Sequence, residues 1–175
     1  MKRSLLIAIS LVLILAFNVF GASDTAGHDI TLQVLEVVLI DMNSTALITL
    51  STSAPTNGGE DPTGQSDNSK LLQYTSLVAS GTSRNITISM VGSAPAGTSL
   101  SAEAVSVPAN CGTAAGAAIV GGTAANLITG IPSCATGTGA NGAAITYTLN
   151  VDTVTSLNVG DSSTVTVTFT LADAS

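Results

Sequence analysis

The polypeptide repeatedly places apolar and polar side chains at alternate positions. Asn85 to Val91 reads NITISMV, Ala144 to Val151 reads AITYTLNV, and Thr164 to Leu171 reads TVTVTFTL. A period of two sends successive side chains to opposite faces, so each stretch predicts a strand with one buried and one wet face. No stretch carries a convincing amphipathic helical stripe. Short intervals of Gly, Pro, Asn, Asp and Ser divide the strands, as at Ser80-Gly81-Thr82-Ser83, Ala94-Pro95-Ala96-Gly97 and Asn158-Val159-Gly160-Asp161. Seven or eight such strands predict an all-β fold, an antiparallel Greek-key β-sandwich. An up-and-down barrel is the second choice.

The pattern is uneven along the chain. Ile30 to Ile40 (ITLQVLEVVLI) predicts the opening strand. Its first half is one-sided, with Ile30, Leu32 and Val34 alternating with Thr31 and Gln33; from Leu35 both faces are apolar apart from Glu36. Asp41 to Thr45 is expected to turn, so that Ala46 to Ser51 pairs back as a hairpin. Ser53 to Ser69 has every mark of a loop. Strands are expected at Leu71–Ala79, Asn85–Val91 and Ser99–Val107. Residues 109–142 are Ala/Gly-rich with weak periodicity, and only Asn126–Ile131 suggests a short strand or helical turn. Two closing strands, Ala144–Val151 and Thr164–Leu171, complete the domain.

Ahead of this β pattern stands a segment of a different kind. Lys2 and Arg3 precede an apolar run from Leu5 to Phe20, shorter than the roughly 20 residues of a comfortable membrane span. A charged start, an apolar run and small residues after it predict a signal peptide over residues 1–21, cleaved before Ala22, with cleavage after Ser23 as the rival. An uncleaved anchor is the alternative. Removing 21 of the 175 residues leaves 154, one domain with no stable membrane span, secreted or held at the cell surface. Lys70 and Arg84 then face all 11 acids, a net charge of −9. Such a domain repels polyanions, which argues against nucleic acid as a partner.

Cys111 and Cys134 suit an oxidising compartment and are expected to form a disulfide across the Gly/Ala-rich region. Free thiols or half of a metal site are the alternatives, but the lone His28 is remote in sequence. No catalytic residue and no cofactor is expected. His28 is the only histidine, and the carboxylates Glu60, Asp61, Glu103 and Asp152 show no spacing that singles out a pair. Around Glu60, Asp61 and Asp67 the acidic loop offers oxygen ligands of the type calcium prefers, without the spacing of a calcium-binding loop. Thr146 and Thr148, and Thr164, Thr166, Thr168 and Thr170, form rows that read as ordinary solvent faces, with ice binding as the sharper alternative. Asn43 and Asn85 head glycosylation sequons, relevant only in a host that uses them.

With the closing strands Ile145–Val151 and Val165–Leu171, expected to pair with each other, and the opening strand Ile30–Ile40, the layout resembles the broad class of secreted bacterial immunoglobulin-like or fimbrial-type β-sandwich proteins. The chain lacks the Trp of cell-wall-binding Trp-x-Leu motifs, and its terminal Leu171-Ala172-Asp173-Ala174-Ser175 departs from the aromatic ending of chaperone-assembled pilins. The resemblance implies fold and location only.

An absence points further. Sheet edges are commonly guarded by charge, Lys above all, yet the exported chain has one Lys and one Arg. The segment Ala22–Val34, a polar lead followed by the one-sided Ile30/Leu32/Val34 row, is suited to leave its own domain and complete a neighbour's sheet. The expectation is a non-enzymatic structural or adhesive surface component, a fibre-like subunit self-associating through edge strands. The competing reading is an extracellular carbohydrate-binding module using Tyr74 or Tyr147 as a stacking platform.

Overall fold

A computed structural model describes residues 24–174. The expected signal peptide, with its cleavage site, falls outside the described residues. The chain divides after Gln33 into two units. In the first, Asp24–Gln33 forms no strand or helix and every residue is exposed.

The second unit is all-β. Its strands are β1 (Val37–Met42), β2 (Thr52–Ser53), β3 (Thr63–Gly64), β4 (Ser66–Leu77), β5 (Arg84–Val91) and β6 (Thr98–Ser106). They continue with β7 (Thr113–Ala114), β8 (Ala118–Ile119), β9 (Ala125–Ile131), β10 (Cys134–Ala135), β11 (Ala143–Val151) and β12 (Thr166–Asp173). One 3-10 turn, Val154–Ser156, is the only helical element among the described residues. No helix among them is long and apolar enough to cross a membrane.

One large sheet has the order β1-β4-β11-β6-β8, with β10 also on β4; the other has the order β12-β5-β9-β7. A two-stranded ladder joins β2 and β3, and every pairing in the three sheets is antiparallel. From β4 to β10 each strand lies in the sheet opposite to its predecessor. The inward rows of both large sheets enter one apolar core: Leu72 and Tyr74 from β4, Ile145 and Tyr147 from β11, Ile86 and Ile88 from β5, Leu127 and Ile128 from β9. The alternation read from the sequence is what builds it. Along β5 the residues Arg84, Ile86, Ile88 and Met90 are buried and those between them are not.

Several local expectations are corrected. The opening strand begins at Val37, not Ile30, because the residues before Val37 meet no ladder partner. Its partner is β4, not Ala46–Ser51, which forms no strand; Ile48 and Leu50 instead pack singly against the core. The loop expected over 53–69 is interrupted by the β2–β3 ladder and ends where β4 begins, at Ser66. Asn126–Ile131 lies within a true strand, and the Ala/Gly-rich region around it adds three two-residue strands. The closing strands belong to different sheets, with β11 between β4 and β6 and β12 on β5.

Candidate functional site

The first feature is the row Ile30, Leu32 and Val34. These side chains are 69%, 89% and 86% exposed, and none belongs to a strand. Three alternate apolar side chains in water on an unpaired segment form the apolar half of a strand without its sheet.

The second feature is the fate of the cations. Arg84 opens β5 on its inward face and is 1% exposed. Its NH1 group donates to the Val37 carbonyl (3.0 Å), Ser76 Oγ (3.1 Å) and the Leu77 carbonyl (3.2 Å). Its Nε donates to Asp173 Oδ1 at 3.1 Å and its NH2 group to Glu36 Oε1. One guanidinium thus joins the start of β1, the end of β4 and the end of β12, spanning both large sheets. A planar fork of five N–H donors is suited to this, and a buried charge tolerates the interior only when so partnered. Lys70, on the inward face of β4, is also buried and donates from Nζ to the Ala46 carbonyl. Lys70 and Arg84 are the only Lys and Arg after residue 3. No sheet edge among the described residues therefore carries an exposed Lys or Arg.

Beside the Arg84 cluster lies an open cleft of about 750 Å³, bounded by Leu35, Glu36, Leu77, Thr82, Ser133 and Asp173 among others. Its two carboxylates are already engaged by Arg84, and among the described residues no buried side-chain polar atom lacks a partner.

Cys111 and Cys134 form the expected disulfide, with Cα atoms 5.5 Å apart. Tyr74, 3% exposed, donates its hydroxyl to the Cys111 carbonyl at 2.7 Å, and Tyr147 is 6% exposed. Burial pushes both phenols up to about 12, with Asp67 adding to the effect at Tyr147. Neither ring offers a face to solvent. In the acidic loop, Glu60 accepts from the side-chain amide and backbone N–H of Asn57, and Asp67 from the hydroxyl and backbone N–H of Ser69. Those bonds hold both carboxyls below their ordinary values. Among the described residues no three His, Cys, Asp or Glu side chains are grouped to hold a metal.

Thr166, Thr168 and Thr170 are exposed along β12, whereas Thr148 is half-buried and bonds Ser66 across the β11–β4 pair. The sequon asparagines both serve locally: Asn43 Oδ1 accepts from the Leu71 N–H and Asn85 Oδ1 from the Gly130 N–H. His28 is exposed in the first unit, and Asp152 accepts from Ser99 Oγ at 3.2 Å. Sequence reasoning missed the Arg84 cluster. Its only signal was a single Arg in a domain nearly devoid of cations. Comparison with known protein families, curated proteins and solved structures finds no match to this chain.

Proposed function

We propose that this chain is a non-enzymatic structural or adhesive component of the cell surface, exported by its N-terminal segment, whose subunits associate by β-strand addition. The observation that carries the reading is the exposure of Ile30, Leu32 and Val34 outside any strand. An alternating apolar row in water is removed from it at least cost by insertion beside a sheet edge, where backbone groups also find partners. The burial of Lys70 and Arg84 supports the same reading, since it leaves the edges without exposed Lys or Arg to discourage pairing. Antiparallel pairing throughout, two large sheets sharing one core and the alternation of strands between sheets support a Greek-key sandwich of the immunoglobulin-like or fimbrial type as the body of the subunit.

The test is Leu32→Lys, followed by size-exclusion chromatography and electron microscopy. Leu32 is 89% exposed in the single chain, so the substitution changes the stability of the domain by no more than about 0.5 kcal/mol. In an assembled subunit the ammonium enters an apolar groove, at a cost of several kcal/mol, roughly 2–7 for an uncompensated polar group. Association is lost while folding is kept. Wild-type protein that stays strictly monomeric over a wide concentration range, with no fibres on cells, refutes the proposal.

A further inference from the structure

We infer that the acceptor for the Ile30/Leu32/Val34 row is the free edge of β12 in a second copy of this chain. The inference rests on the proposed strand addition and names the surface that receives it. The two large sheets end at β1 and β8 and at β12 and β7. Strands β7 and β8, like the off-path β10, are two residues long, too short to template a five-residue partner. On β1 the outward edge is partly engaged. Asn43 N–H bonds the Leu71 carbonyl, so antiparallel alternation turns the backbone groups of Val38, Ile40 and Met42 outward. There Asp41 Oδ1 accepts the Met42 N–H at 2.7 Å and adds a negative charge to the rim.

Strand β12 is longer, and its one acid, Asp173, lies at its end and is held by Arg84. It pairs with β5 over its eight residues and has no second ladder partner; β1 of the other large sheet approaches it, with Glu36 and Asp173 sharing the Arg84 guanidinium. No charged residue occurs from Ser162 through Ala172. The bond from Ala174 N–H to the Ser83 carbonyl fixes the phase: Thr166, Thr168, Thr170 and Ala172 bond β5, and the backbone groups of Val167, Phe169 and Leu171 point away from it. The side chains of Val167 and Phe169 face the core but are only half-buried, as is Val165 just before the strand. An incoming strand finds unpaired N–H and C=O groups and a half-covered apolar row of matching period. Ile30, Leu32 and Val34 extend that row, and Thr31 and Gln33 join the exposed threonines of β12 on the solvent face.

Disulfide trapping in the full chain tests this. Cα atoms of cross-strand neighbours lie about 4.5–5.5 Å apart, within disulfide reach. Thr31→Cys is combined in turn with Thr166→Cys, Thr168→Cys and Thr170→Cys, and in comparison chains with Val38→Cys, Thr113→Cys or Ile119→Cys. After mild oxidation, the β12 pairs are expected to give covalent ladders of dimers and higher species on non-reducing gels, collapsing on reduction. A second variant, Val167→Pro, removes one outward N–H while sparing the ladder to β5, and weakens association roughly tenfold with an unchanged fold. Fibres that form but cross-link only through β1, β7 or β8 overturn the β12 assignment and leave strand addition standing. Cross-links confined within single chains overturn it too. Absence of any association in the parent chain refutes strand addition itself, and this inference with it.

Discussion

Replacing Arg84 by Met tests whether a buried cation holds the two large sheets together at one end of the core. The substitution keeps much of the side-chain volume and removes all the donors. Five acceptors lose this charged donor, three of them uncharged: the Val37 and Leu77 carbonyls and Ser76 Oγ. Each bond from a charged donor contributes about 1.5–3 kcal/mol. The full sum overstates the loss, because the Ser76 hydroxyl can turn to a new partner and the bonds share one donor group. Breaking one buried charged cluster costs about 3–5 kcal/mol, the expected range here. At about 2–4 °C per kcal/mol for a domain of this size, the melting temperature falls by roughly 6–20 °C. The carboxylates contribute little by themselves. Glu36 and Asp173 have side chains 67% and 81% exposed, so Glu36→Gln or Asp173→Asn costs no more than about 1 kcal/mol each. Thermal and urea unfolding followed by circular dichroism measures all three variants. An Arg84→Met loss below about 1 kcal/mol, or a carboxamide variant as damaging as Arg84→Met, refutes the argument that the carbonyl and hydroxyl bonds dominate.

The Cys111–Cys134 bridge closes a loop of sequence separation 23, so reduction or a double Ala substitution lowers stability by about 3 kcal/mol, read from urea midpoints with and without reductant. An unchanged midpoint shows that the bridge does not stabilise the fold. Alkaline unfolding should follow the two buried tyrosines. Their phenols ionise near 10.0 when unfolded and at about 12 when folded. Stability is thus intact below pH 10.0 and declines as pH rises from there towards 12. Ultraviolet absorbance should show tyrosinate appearing together with loss of β signal; ionisation near the unfolded value in the folded protein contradicts the burial of Tyr74 and Tyr147.

The long strands were legible because each carries its own period-two signal. Residues of β4, β5, β6, β11 and β12 fall within a few positions of where alternation puts them. Pairing was not legible. Alternation says which face is apolar but not which sheet covers it, so the hairpin expected at Ala46–Ser51 and the pairing of the closing strands failed. Two-residue strands such as β7 and β8 are too short to show a period at all. The opening segment misled for the opposite reason: Ile30, Leu32 and Val34 have a perfect strand pattern and no sheet to enter within the described chain. The disulfide followed from cysteine count and compartment. Arg84 and Lys70 were hidden by the general rule that cations lie outside, which a sequence alone gives no reason to suspend.

Arg84 also determines how the domain bears tension. A pull on the chain at Val34 arrives first at the Val37–Leu77 pair, the outermost rung between β1 and β4. A ladder loaded at its end peels open rung by rung. Here the outermost rung is bolted, since the Val37 and Leu77 carbonyls share one guanidinium with Glu36, Ser76 and Asp173. Rupture at that point needs several charge-assisted bonds to fail together, and the load passes through β5 into the second sheet. The domain is reinforced at the place where a pull on the segment before β1 would otherwise start to unravel it.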